Sequence, residues 1–183
     1  MTALPGRSAG VSSLPADARR RQAQLGEWAA LGVLAQEPAH GWAVARRLGP
    51  DGDVGRVWSL SRPLTYRALE TLVAEGLVRP RGSEPGAAGP NRTILVVTPA
   101  GVRALRTWLA TPVEHLRDVR SELLLKLVLA EQLVIDTRGL VAAQREIVER
   151  LVARSGPPDD VVGRWRHEST QAVLRFLDRL HPP

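Results

Sequence analysis

The stretch that most narrows what this chain can fold into is SRPLTYRALETLVAEGLVRPRG, residues 61–82. Leu64, Ala68, Leu69, Leu72 and Val73 recur at helical spacing. Ser61 suits the N-cap, and Pro63 suits the first turn, where its missing N–H costs nothing. Gly76 is placed to end the helix in the left-handed conformation. The chain then runs into LVRPRG, a strand pattern carrying Arg79 and Arg81. The helix is thus short, capped at both ends and tied to a strand. Its other face bears Arg67, Glu70 and Thr71, with Tyr66 at the margin.

The flanking segments give this helix a setting. Residues 1 to about 20 are rich in Gly, Ser, Ala and Pro and read as lacking fixed structure. RQAQLGEWAALGVLAQ reads as a first helix, with Leu25, Trp28, Ala29, Leu31, Val33 and Leu34 apolar, and EPAHG breaks it. GWAVARRL reads as a second, with Trp42, Val44, Ala45 and Leu48 inward and Arg46 and Arg47 outward, followed by a GPDGDVG loop. LVRPRG and NRTILVVT are two strands around SEPGAAGP, a turn too long for a tight hairpin, and Thr98 with Pro99 opens a fourth helix. Three helices followed by a two-stranded hairpin make a winged helix-turn-helix. In such a unit the second helix of the turn enters the DNA major groove, which is about 12 Å wide and admits one α-helix. That places Arg62, Thr65, Tyr66, Arg67 and Glu70 at the groove, with Arg81 and Arg92 at the base of the wing.

Charge agrees with that assignment. Residues 1–112 hold 14 Lys+Arg against 8 Asp+Glu, a surplus of 6, and residues 113–183 hold 11 of each. The net +6 therefore sits wholly in the part with the hairpin, as a polyanion-binding surface requires. Arginine supplies 24 of the 25 basic residues, a bias that a GC-rich genome also produces. Cysteine is absent, which excludes disulfides and thiolate metal sites and fits a reducing compartment. The longest apolar run, LLLKLVLA, is broken by Lys126 and far shorter than the roughly 18–20 residues of a membrane span. A cytoplasmic, nucleoid-associated protein is expected.

Beyond Pro112 the pattern changes. Residues 123–133 are apolar nearly all round, so burial on several sides is expected. Asp136 opens a further helix with Leu140, Val141, Gln144, Ile147, Val148 and Leu151 on one stripe. The last helix, about 159–180, repeats apolar residues nearly every seven positions. Trp165, Val173, Phe176, Leu177 and Leu180 are the expected seam of a homodimer, which suits a pseudo-palindromic operator in double-stranded DNA. The fold class is mainly α with a small β-hairpin wing: a basic tail without fixed structure (1–22), a winged helix-turn-helix domain (23–112) and a helical dimerisation domain (113–183).

Five stretches resemble the PadR family of bacterial transcriptional regulators. LGVLAQEPAHGWAVARRL is similar to the family's first two helices, with their Pro-x-His-Gly-aromatic turn. LTYRALETLVAEGLV resembles its recognition helix, and LVVTPAGVRALRTWL its second wing strand and following helix. VRSELLLKLVLA and WRHESTQAVLRFLDRL resemble the dimerisation helices of one branch. The resemblance implies a dimeric repressor without enzymatic activity, released from DNA by a small molecule, with DNA contacts at Tyr66, its neighbours and the wing. It also implies an effector site between the two domains, where Trp28 and Trp165 are placed to wall an aromatic ligand, although a place in the core or the dimer seam is the favoured reading of both. Trp42 departs from the family's tyrosine, Glu70 from a commonly basic position, and the wing tip, residues 86–90, is neutral. A winged helix serving protein interaction, or a winged-helix regulator without an effector, is the alternative.

Other signals carry less. GRSAG, residues 6–10, matches a nucleophile-elbow pattern but lacks the preceding strand. His40, His115, His167 and His181 are too scattered to ligate a metal, and His40 is expected to cap or pack beside Gly41. DGDVG lacks the later ligands of a calcium loop. No cofactor or metal is expected.

Overall fold

In the computed structural model of the chain, residues 16–86, 89–154 and 159–180 are described. The first helix, α1, spans Ala16–Gln36. It thus begins inside the stretch expected to lack structure, because its opening residues Ala16 to Gln22 include strong helix formers, alanine, arginine and glutamine. The rest of the expected tail, with GRSAG, lies outside the described residues. Then come a two-residue strand β1 (Ala39–His40), α2 (Gly41–Arg47), α3 (Arg62–Ala74), the hairpin strands β2 (Val78–Gly86) and β3 (Gly89–Val97), and α4 (Pro99–Ala110).

The punctuation follows the sequence closely. The Nδ1 of His40 accepts the Ala43 amide at 3.1 Å, so this histidine is the N-cap of α2. Thr98 caps α4 by accepting the Gly101 amide at 3.1 Å, and its hydroxyl donates to the Gly76 carbonyl at 2.8 Å. Gly76 has φ +69°, the left-handed residue that closes α3. Ser61 stands at the N-cap of α3 without a side-chain cap bond.

Among the described residues the sheet has three antiparallel strands in the order β1-β3-β2. Ala39 and His40 pair with Leu95 and Ile94; two residues carry no periodicity, so the sequence shows only a helix break there. The hairpin is also longer than expected. Ser83 and Glu84 pair with Thr93 and Arg92, and Gly86 with Gly89, so the strands run through most of SEPGAAGP. Register shifts at Arg81 and beyond Glu84 absorb the irregular composition, as β-bulges do. Pro80 is tolerated because β2 is an edge strand.

The helical remainder comprises α5 (Leu116–Asp118), a π-helical turn (Val119–Leu123), α6 (Leu124–Gln132), α7 (Arg138–Arg154) and α8 (Val161–Leu180). The main core gathers Leu31, Val33, Val44, Leu48, Leu69, Leu72 and Leu105 with Leu125 and Leu129 of α6. Each such side chain contributes about 1.5–3 kcal/mol when fully buried. A second core joins Val113, Val119, Leu123, Leu140, Val141, Val148 and Leu177. Helix α6 therefore reaches back across the expected boundary at Pro112. The chain there is pinned by two buried side chains. Lys126 Nζ donates to the Thr111 carbonyl at 2.6 Å, and Gln144 clamps both backbone groups of Val113 at 2.8 and 2.9 Å.

At the end of α6, Val134 adopts φ +54°. The Val134 amide donates to the Glu131 carbonyl and the Ile135 amide to the Ala130 carbonyl, a Schellman closure in which valine takes the usual glycine position. Its side chain is 93% exposed, so no packing offsets the strain. No described helix is long and apolar enough to cross a membrane.

Candidate nucleic-acid interface

Helix α3 buries Thr65, Ala68, Leu69 and Leu72, the i, i+3, i+4, i+7 pattern of an amphipathic helix. The stripe is rotated from the one expected. Leu64 is 45% and Val73 37% exposed, while Thr65, assigned to the groove from sequence, is fully buried. A threonine is acceptable there because its hydroxyl donates to the Ser61 carbonyl at 3.1 Å and needs no other partner. The burial removes Thr65 from any DNA-contacting role through its side chain. Arg62, Tyr66, Arg67 and Glu70 do lie on the exposed face, as do Arg81 and Arg92 on the hairpin.

Tyr66 is set by a close approach. A Cβ built on Gly41 would lie 2.7 Å from the Tyr66 Cε1, so only glycine lets the tyrosine ring lie against the start of α2. The next residue, Trp42, is 41% exposed. Arg46, one turn along α2, places its guanidinium carbon 5.1 Å from the Trp42 ring centroid, and Arg92 of β3 reaches the same ring at 5.8 Å. The His40 ring lies 6.0 Å away. Trp42, expected inward, is half exposed with both cations on its ring. The expected recognition helix, the start of α2 and the wing base thus form one continuous surface.

Arg47, expected outward beside Arg46, has another task. It binds both carboxylate oxygens of Asp53 at 3.0 and 2.5 Å and donates to Gln132 Oε1 at 3.2 Å. Gln132 Nε2 donates to Asp53 at 2.9 Å, and Gln36 Nε2 donates to Gln132 Oε1 at 2.8 Å. The hydrogen bond from Arg47 holds the Asp53 carboxyl below the usual aspartate range, against the opposing effect of partial burial. So DGDVG is neither a calcium loop nor free loop, but the link from α2 to α1 and α6. Gln132 lies 79, 85 and 96 positions from Asp53, Arg47 and Gln36, a meeting that no local pattern reveals.

The two tryptophans expected at an aromatic site have different surroundings. Trp28 stacks on Trp108 at 5.1 Å with a 6° interplanar angle, and Trp165 is 71% exposed on α8. The expected seam is divided too. Leu177 is 1% exposed and belongs to the second core, and Val173 and Phe176 pack against that core. The intramolecular packing of α8 against α7 uses them, and this removes Leu177 from any interface. Trp165 and Leu180 stay exposed, beside Val161 and Val162.

No family model matches the chain, and no curated protein matches it by sequence. Solved structures do match. PadR of Bacillus subtilis in complex with operator DNA is 18% identical with a TM-score of 0.45, over 84% of this chain and 96% of that one. The protein smu.1604c of Streptococcus mutans UA159 is 16% identical with a TM-score of 0.44, over 84% and 96%. B. subtilis PadR in complex with p-coumaric acid is 19% identical with a TM-score of 0.41, over 86% and 94%.

Proposed function

We propose that this chain is a sequence-specific DNA-binding transcriptional regulator, a homodimeric repressor of PadR type. The observation that carries the reading is the exposed face of α3, where Arg62, Tyr66 and Arg67 stand clear of the core and adjoin the arginines of α2 and the wing. Arginine supplies bidentate donors to guanine edges and to phosphate, and a tyrosine hydroxyl suits a phosphate oxygen. The exposed Leu64 beside them is apolar surface of the kind that meets a thymine methyl. Recognition by hydrogen bonds and charge makes no demand for catalytic groups.

A second copy supplies the natural cover for Val161, Val162 and Trp165, which are 74%, 52% and 71% exposed along the start of α8. Because Trp165 is not part of either core, Trp165→Ser leaves the fold intact and separates the protomers. Light scattering showing a dimer of unchanged affinity would move the interface elsewhere. The small-molecule part of the reading is supported by a different place from the one expected. A cleft of about 280 Å³ is lined by Leu116 and Leu151 with Arg154, Arg166, Glu114, His115 and Thr170, a mixed polar and apolar wall of the kind that holds a small ligand.

The test of the DNA reading is a salt series. A binder that neutralises about 6–10 phosphates loses about 10³–10⁵ in affinity between 50 and 200 mM salt. An affinity for duplex that stays flat over that range favours the protein-interaction alternative.

A further inference from the structure

We propose that Arg46 and Arg92, both held against Trp42, form a phosphate clamp that grips the DNA backbone beside the groove occupied by α3; this rests on the DNA-binding reading above. Two guanidiniums from different elements, α2 and β3, converge on one exposed indole at 5.1 and 5.8 Å. Among the described side chains no carboxylate pairs with either of them, whereas the adjacent Arg47 is paired with Asp53. Like charges gathered without a counterion among the described side chains repel, and the ring face offsets this only in part. A phosphate completes the set: each planar fork presents parallel N–H donors to phosphate oxygens.

The placement selects a backbone phosphate over a free anion. The clamp adjoins the recognition face through the Tyr66–Gly41 contact, so a duplex seated on α3 brings its backbone past Trp42. The indole orders both forks beforehand, which reduces the entropy lost when phosphate arrives. A tryptophan here offers a broader ring face than a tyrosine, wide enough for cations from two sides of the surface. The wing is thereby tied to the helix-turn-helix at its base, where Arg92 sits, and its neutral tip is not needed for grip.

The test measures fluorescence anisotropy of a random-sequence duplex across a salt series. It compares the parent with Arg46→Ala, Trp42→Ala and, as reference, Arg67→Ala, each checked for fold by circular dichroism. Arg46→Ala should lower the slope of log K against log salt by about 0.9, the value of one phosphate contact. Trp42→Ala keeps both charges, so it should retain the slope and lose affinity several-fold. The clamp is wrong when folded Arg46→Ala matches the parent in slope and affinity while the parent's own affinity falls with salt, and the DNA-binding reading then stands. A parent without salt-dependent affinity overturns both.

Discussion

Removing the countercharge of Lys126 should be more damaging than removing Lys126 itself. The lysine side chain is 1% exposed, its Nζ 2.7 Å from Glu122, and that carboxylate is 30% exposed. The ammonium also donates to the Thr111 carbonyl at 2.6 Å and lies 4.9 Å from the centroid of Trp108. Taking such a charge from water costs several kcal/mol, which the pair attraction roughly balances. Glu122→Gln leaves the ammonium buried without a countercharge. Breaking a fully buried pair costs about 3–5 kcal/mol. The carbonyl and ring remain and Glu122 is partly solvated, so about 2 kcal/mol is expected here. Lys126→Met keeps the stem volume and removes the buried charge. It loses a charged hydrogen bond worth about 1.5–3 kcal/mol but regains the desolvation cost, and should end within about 1 kcal/mol of the parent. Urea unfolding at fixed protein concentration measures both, with the double variant closing the cycle. Glu122→Gln should cost little once Lys126 is methionine. Burial also lowers the Lys126 pKa, with Glu122 opposing the shift. Between the folded and unfolded pKa values the unfolded chain binds more protons, so stability rises with pH there, and Lys126→Met should lack that rise. The reasoning fails if Lys126→Met is the costlier variant, or if Glu122→Gln costs the same in both backgrounds.

Gly41→Ala would place a methyl 2.7 Å from the Tyr66 ring. The exposed tyrosine should swing away at small cost in stability, and duplex affinity should fall as far as in Tyr66→Ala; parental affinity would show that the contact does not position Tyr66. Val134→Gly should stabilise the chain by about 0.5–1 kcal/mol, the left-handed strain of about 1–2 kcal/mol less the entropy cost of glycine, read as a higher urea midpoint. A lowered midpoint would mean that Val134 has partners elsewhere. Asp53→Asn should destabilise at neutral pH and lose its effect in acid. The folded carboxyl titrates below its unfolded value of about 3.9, so its contribution is full above that value and disappears as pH falls through the folded one. Melting curves of parent and variant should converge as pH falls through the folded value, and a constant gap would contradict the Arg47 pairing.

Much of this architecture is legible in the sequence because its signals are local. The caps at His40 and Thr98 and the left-handed Gly76 each depend on residues a few positions apart, and all three stand where the sequence puts them. The stripe of α3 is legible at Ala68, Leu69 and Leu72 and not at its margins. A threonine that satisfies its own hydroxyl looks polar in sequence and behaves as core, while Leu64 looks like core and faces outward. The seam of α8 failed at Leu177 for a related reason: periodicity says which residues share a face, not whether α7 or a second chain covers it. The Arg47–Asp53–Gln132–Gln36 network and the meeting of Arg46 with Arg92 on Trp42 join residues far apart in the chain. Only the fold brings them together.

The most direct measurement of the central claim is the affinity of the full chain for the DNA upstream of its own gene, set against a random duplex of equal length in the same salt. Specific sites gain typically about 10³–10⁷ over non-specific ones, and the account predicts a ratio within that range, reduced by Arg67→Ala. Equal affinity for the two duplexes, or no affinity for either, contradicts it.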